Sequence, residues 1–422
     1  MSPDLSIDFC GVKSPNPFWL ASAPPTNTGA QVMRAFELGW GGAVWKTLGK
    51  PIKNVSSRFS AIPFGTKKVM GLNNIELITD RPLDVNFKEI YEVKKRFPKN
   101  TMIVSLMVES KEEWRDIIAR AEDAGADLLE LNFGCPHGMC ERGMGSAVGS
   151  EPAILQEVTS WAVQYAKVPV IVKLTPNITD IVDAGLAAHD GGAPAISLIN
   201  TIKSITSVDL DSFVPNPKVG HQSTNGGYCG PAVKPIALHM LAQLARTPKL
   251  KNTVFSGIGG ISDWRSAAEF IALGATSVQV CTAVMHHGYR IIEHLSDGLL
   301  AYLKEKNFPD LSHLRGQAIK AVTNWEDLDL KYRVVANIDE KTCIGCNKCY
   351  VACLDGSHQC IYLPGMDEKM ALKKGHTNPP KDPKFYLAHS SPKVDEAECV
   401  GCNLCELICP VSGCITMVEQ QV

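Results

Sequence analysis

The chain has 422 residues, 45% hydrophobic and 20% charged, which is enough apolar material for a large core. Its 42 Lys and Arg nearly cancel 44 Asp and Glu, and a formal charge of -2 leaves no electrostatic footprint for nucleic acid. No apolar run approaches the ~18 residues of a membrane span. Asp4, Asp8 and Lys13 interrupt the first residues where a secretory signal would be apolar, so a cytoplasmic location is expected.

Residues 7–17 (IDFCGVKSPNP) read as a small hairpin closing one end of a core. After it, short β-prone runs alternate with amphipathic stretches. Strands are expected near 17–22, 42–47, 101–107, 127–132, 168–173, 194–199, 253–257 and 276–281. Several are continuously apolar, as parallel strands covered on both faces are. Helices are expected near 28–38, 85–96, 111–124, 151–165, 178–189, 234–246, 263–273 and 287–303. In the third, Trp114, Ile117, Ile118 and Ala121 recur at helical spacing and Gly125 supplies a stop.

Eight strand–helix units predict an α/β fold of the closed (β/α)8 barrel type over residues 1–305. An open nucleotide-binding sheet would want G-x-G-x-x-G after its first strand. None is there, and SGIGG at 256–260 has the wrong spacing. Two connections exceed what a barrel needs: 48–84, carrying GLNNIE, and 202–233, carrying NGGYCGP. Long loops at the C-terminal strand ends are where barrels build sites.

A linker is expected over 306–334 and a ferredoxin-like domain over 335–422, with an insertion near 362–394. Fifteen cysteines, an odd number, argue against a disulfide scaffold. Cys343, Cys346, Cys349 and Cys353 form C-x2-C-x2-C-x3-C. Cys399, Cys402, Cys405 and Cys409 repeat that spacing before Pro410. This run holds two [4Fe–4S] clusters, the fourth cysteine of each serving the other cluster. Paired C-x2-C elements also bind zinc, but zinc gives no reason for a duplicated three-plus-one spacing. Cys360 and Cys414 are left over and read as a hydrophobe and a turn residue. Clusters pass single electrons, so a barrel with a two-electron cofactor is their natural companion.

The fourth strand runs into LELNFGCPHGMCERGMGSAVG at 129–149. ASAPP (21–25), WKTLG (45–49), NIELI (74–78), KLTPN (173–177), Asn200-Thr201, GGI (259–261) and QVC (279–281) follow in matching order around it. Together with CIGCNKCYVAC and CNLCELICPVSGCI, these motifs resemble the dihydropyrimidine dehydrogenase family over nearly the whole chain. The resemblance is strongest to its bacterial NAD-dependent FMN and iron–sulfur subunit, and the barrel is related to dihydroorotate dehydrogenases.

The resemblance implies FMN at the barrel top, contacted by Ser22, Lys46, Thr47 and Lys173, with Gly230, Ile258, Gly259, Gly260, Cys281 and Thr282 around its tail and phosphate. Glycine-rich loops after the last two strands suit an anion site, although each glycine alone could serve only a turn. The resemblance places a pyrimidine against Asn74, Glu76, Asn132, Phe133, Gly134, Asn200 and Thr201. Carboxamides can answer its carbonyl and N–H groups. It makes Cys135 the proton donor, with His137 in possible support. Family members from mammals carry Ser before that cysteine, where this chain has Gly134.

The implied activity is NADH-linked reduction of uracil or thymine to the 5,6-dihydro form. Because no segment offers a dinucleotide fold, FAD and NAD(H) are expected on a partner subunit, in a heterotetramer. A dihydroorotate dehydrogenase-like reductase is the alternative. A non-catalytic electron-transfer module is a more distant one.

Overall fold

The computed structural model describes residues 3–64, 67–136, 138, 143–363 and 391–420. These fall into two compact units, 1–322 and 323–422. The expected linker over 306–334 is therefore divided: Leu311 and Leu314 are buried in the core of the first unit.

The first unit is a closed barrel of eight parallel strands in chain order. They are β1 (Phe18–Leu20), β2 (Gly42–Leu48), β3 (Thr101–Leu106), β4 (Leu128–Asn132), β5 (Val170–Lys173), β6 (Ala195–Leu198), β7 (Val254–Ile258) and β8 (Ala275–Val280). Each overlaps a strand expected from sequence. Every residue of β2, β3 and β4 is buried, because the barrel interior covers one face and the helices the other.

The surrounding helices are α1 (Gly29–Glu37), α2 (Leu83–Arg96), α3 (Lys111–Asp123), α4 (Pro152–Tyr165), α5 (Ile181–Asp190), α6 (Lys234–Arg246), α7 (Trp264–Ala272), α8 (Thr282–His287) and α9 (Ile291–Glu305). Helix α3 shows why such segments fold as they do. Ser110 and Glu113 form a capping box that satisfies two otherwise orphaned N–H groups, while Trp114, Ile117, Ile118 and Ala121 face the core. The terminal helix of the barrel departs from expectation. A separate six-residue turn of helix, α8, follows β8 and stops at Gly288, where φ is 78°.

The expected N-terminal hairpin pairs Ile7–Phe9 with Val12–Ser14, and Phe9 packs on Trp19 at 4.8 Å between ring centroids. The two long connections meet in a four-stranded antiparallel sheet with the order 202–204, 226–229, 67–74 and 59–64. Asn74 pairs there with Gly227, which carries a substrate-motif asparagine to the barrel mouth.

The second unit is built around an antiparallel pair, Val334–Ile338 with Ile415–Glu419. Its two cysteine runs fold alike. Each passes through a glycine and an asparagine at positive φ (Gly345 and Asn347; Gly401 and Asn403) into a helix, Lys348–Gly356 or Leu404–Ile408. Most of the insertion, 364–390, lies outside the described residues.

Candidate active site and cysteine-lined cavities

Along β4, side chains alternate between the barrel interior and the helix layer. Glu130 and Asn132 share one face, whereas Phe133 turns to the other. Its ring is buried against Trp114, edge to face at 6.2 Å. Phe133 therefore does not line the cavity at the mouth, contrary to its expected place in the substrate set. On β2 the alternation breaks. Trp45 points to α2, where its Nε1 donates to Asn86 Oδ1 at 3.0 Å, and the register with β3 shifts between Trp45 and Leu48. This irregularity lets consecutive Lys46 and Thr47 both reach the mouth.

A cavity of about 610 Å³ opens at the C-terminal strand ends, a size typical of small-molecule sites. Ser22, Lys46, Thr47, Lys173, Gly230, Ile258, Gly259, Gly260, Cys281 and Thr282 line it. So do Asn74, Glu76, Asn132, Asn200, Thr201 and Cys135. His137 lies outside the described residues, as does Cys140.

Thr47 is the centre of a side-chain chain across the mouth. Its Oγ1 lies 3.0 Å from Ser22 Oγ and 2.9 Å from Ser105 Oγ, and it accepts from Asn132 Nδ2 at 3.0 Å. Asn132 Oδ1 accepts from Asn200 Nδ2 at 3.0 Å, and Asn200 Oδ1 accepts from Thr201 N at 2.8 Å. Asn74 Nδ2 donates to Gly227 O at 3.1 Å. Each amide is thus held by the protein through part of its capacity and keeps the rest for a ligand.

Gly134 does not line the cavity, but its lack of a side chain shapes it. A Cβ there would fall 2.4–2.7 Å from the Asn200 side chain. Asn200 occupies the space that any larger residue at 134 would need.

The buried charges are paired. Lys46 and Arg58 both contact Glu76, and Lys173 Nζ lies 3.4 Å from Glu130 Oε1. Sequence reasoning placed Lys46, Lys173 and Glu76 but missed Arg58, Glu130 and Gln279, the last of which also lines the cavity. Glu130 left a readable signal. A carboxylate inside LLELN, on a strand covered on both faces, has no water to meet and must find a cation.

Cys135 sits in an apolar nest with Ile78, Met107 and Met144, flanked by Ile52 and Leu77. Burial pushes the Cys281 and Cys229 thiols above the usual range, and Thr282 Oγ1 donates to Cys229 Sγ at 3.3 Å. Neutral thiols can donate a proton or a weak hydrogen bond but do not behave as nucleophiles.

Gly259 and Gly260, which also line the cavity, have φ of 127° and 75°. A Cβ on Gly260 would lie 2.8 Å from Lys234 Cβ and 2.9 Å from Gly230 O. This close backbone cradle is suited to an anion.

In the second unit the cysteines line two separate cavities. Cys399, Cys402 and Cys405 share one with Cys353, while Cys343, Cys346 and Cys349 share the other with Cys409. Each close triplet thus meets the fourth cysteine of the other run. Among the described residues no three His, Cys, Asp or Glu side chains gather around a single-ion position. Cys360 also lines the first cavity and Cys414 the second; both are buried, and Cys360 Sγ lies 3.6 Å from Cys353 Sγ.

The dihydroorotate dehydrogenase family matches residues 4–303, and the 4Fe–4S dicluster domain matches 336–417. NAD-dependent dihydropyrimidine dehydrogenase subunit PreA of Escherichia coli is 41% identical over 362 residues, covering 86% of this chain and 88% of its own. Chloroplastic dihydropyrimidine dehydrogenase (NADP(+)) of Arabidopsis thaliana is 42% identical over 338 residues, 77% of this chain and 79% of its own. The catalytic subunit of dihydroorotate dehydrogenase B (NAD(+)) from Pyrococcus horikoshii is 36% identical over 318 residues, 75% of this chain and 98% of its own. Among solved structures, a dihydroorotate dehydrogenase from Eimeria tenella in complex with ferulenol shares the fold, with a TM-score of 0.63 at 18% identity over 75% of this chain and 89% of that one. This oxidoreductase belongs to the dihydroorotate dehydrogenase family, in its dihydropyrimidine dehydrogenase branch, and its sequence continues after the barrel into a 4Fe–4S dicluster domain.

Proposed function

We propose that this chain reduces uracil or thymine to the 5,6-dihydropyrimidine at FMN in the barrel mouth. Electrons arrive through two [4Fe–4S] clusters from a cytoplasmic partner subunit that holds FAD and the NAD site, in a heterotetramer. The carrying observation is that Cys135, Asn74, Asn132 and Asn200 face one cavity with the buried lysines Lys46 and Lys173.

The residues present fit FMN. Only glycine lets the turn at 259 and 260 close against Ala237, Lys234 and Gly230 while lining the cavity, and buried Lys46 and Lys173 supply charge to the same cavity. Bound FMN supplies hydride transfer. Ser22, Lys46, Thr47 and Lys173 would hold the ring and ribityl chain, with Gly230, Ile258, Gly259, Gly260, Cys281 and Thr282 around the tail and phosphate. Asn74, Asn132, Asn200, Thr201 and Glu76 would bind the pyrimidine edge, and Cys135 would give its thiol proton to C5 as C6 accepts hydride. His137 would assist from the same loop. The eight cysteines in the two cavities would hold the clusters, each fourth cysteine crossing over.

A carboxylate-bearing substrate, as in the dihydroorotate alternative, is the second reading. It fits less well, because each lysine lining the cavity is already paired with a carboxylate. A neutral cyclic imide makes no such demand.

The test is a half-reaction. The chain is purified anaerobically, reduced with dithionite, freed of excess reductant and mixed with uracil while flavin absorbance and dihydrouracil are followed. Rapid reoxidation with product is expected. A flavin that stays reduced in intact protein, with uracil and thymine alike, overturns the substrate assignment, and reoxidation by orotate instead supports the second reading.

Substitution at position 134 gives a sharper check. Gly134→Ser is expected to displace Asn200 and weaken pyrimidine binding about tenfold, the cost of one hydrogen bond at ~1.4 kcal/mol. Flavin content should not change. An unaltered KM for uracil would show that Asn200 does not touch the substrate.

A further inference from the structure

Glu130 is fully buried in the barrel; its Oε2 is hydrogen-bonded, whereas its Oε1 has an ionic partner and no hydrogen bond. Oε1 faces Lys173 Nζ at 3.4 Å, while Oε2 accepts from Ser197 Oγ and Gln279 Nε2, each at 2.9 Å. Gln279 Nε2 also reaches Ser256 Oγ at 3.3 Å, and Ser277 Oγ lies 2.8 Å from that same oxygen. Strands β4 to β8 thus join in a polar layer at a level where barrel interiors are normally filled by branched apolar side chains. Lys173 lines the cavity and Glu130 does not.

Burying an ion pair is a poor route to stability, since two apolar residues of similar volume usually serve as well or better. The pair calls for a role in the site above it. Reduction adds negative charge to a flavin. A lone buried ammonium in the flavin's cavity would favour the reduced form strongly, because charge interactions weaken little at this depth. A flavin held that way would donate electrons reluctantly. A carboxylate directly behind the ammonium offsets the effect, and Ser197 and Gln279 pin it so that it cannot turn away.

We propose that Glu130 is a positioning residue that acts through Lys173. It keeps the net charge presented to the flavin's cavity near zero, so that the pair, and not the lysine alone, sets the flavin's reduction potential. The proposal rests on reading the cavity as a flavin site.

The test compares the wild type with Glu130→Gln, Lys173→Met and the double variant. Each protein is titrated spectroelectrochemically with flavin bound and melted after flavin removal. Glu130→Gln should raise the flavin potential, Lys173→Met should lower it, and the double variant should return toward wild type. In the flavin-free proteins, Glu130→Gln should lose more melting temperature than the double variant, because it strands a buried charge.

A potential that stays put or falls in Glu130→Gln, with flavin bound, overturns the proposal and leaves Glu130 as a core polar group. Should that variant hold no flavin, the melting comparison decides: a single variant as stable as the double overturns the pairing. A wild-type chain that takes up no flavin overturns the reading of the cavity and the proposal together.

Discussion

Cys135→Ala is expected to lower the rate of pyrimidine reduction by about 10²- to 10⁴-fold, the usual contribution of a positioned general acid. Flavin and cluster content should match the wild type, because Cys135 lies against apolar side chains and not in the cysteine-lined cavities. The measurement is the rate of flavin reoxidation after uracil is mixed with reduced protein. The physical case begins with the loop. Gly143 and Gly145 have φ of 73° and 59°, and a Cβ on Gly145 would fall 2.8 Å from Cys135 O. Only glycine lets the returning chain lie this close beneath the thiol.

Ile78, Met107 and Met144 pack in one apolar cluster with Cys135, so the thiol that would give its proton to C5 is backed by apolar side chains. Cys135→Ser should keep a residual rate above that of alanine, since a hydroxyl fills the same position but is a weaker acid. Full turnover by the alanine variant would remove Cys135 from the reaction. A loss confined to KM would make it a binding residue.

The barrel was legible because its parallel strands are buried on both faces, and a run such as GAVWKTL has no other stable place. The cysteine crossover was legible for a similar reason: the duplicated spacing has one economical geometry. The four-stranded sheet over the mouth was not, because its strands are short, partly exposed and drawn from connections whose paired residues, such as Asn74 and Gly227, are about 150 positions apart, with pairing set by the tertiary fold. Phe133 was misplaced because motif likeness carries a residue's position and not the direction of its side chain. The period of two along β4 would have turned it away from Asn132. Glu130 was passed over although its neighbours marked it. The partner of Lys173 lies on the adjacent strand, in Glu130.

The second large effect concerns the fourth cysteines. Cys353 follows the first triplet in sequence yet lines the cavity of Cys399, Cys402 and Cys405, while Cys409 lines that of Cys343, Cys346 and Cys349. Removing Cys353 should therefore empty the site of the distant triplet and spare its own. Cys360 complicates the experiment usefully. Its sulfur is 3.6 Å from that of Cys353, near enough to take over as ligand if the first thiol is lost.

Cys353→Ser alone is expected to retain part of its second cluster, and Cys353→Ser with Cys360→Ser to lose it, halving the iron and simplifying the spectrum of the reduced protein to that of a single cluster. Because metal binding and folding share one free energy, the double variant should also melt at a lower temperature, and the barrel should still reoxidise with uracil at the wild-type rate. Iron analysis and the uracil half-reaction on the same preparation separate the outcomes. If the first triplet, trapped by Cys343→Ser in a companion variant, proved to be the site that Cys353 serves, the crossover would be wrong and each run would hold its own cluster. The cavities argue otherwise: a local four-cysteine site would leave Cys353 and Cys409 facing the wrong triplets across the unit they join.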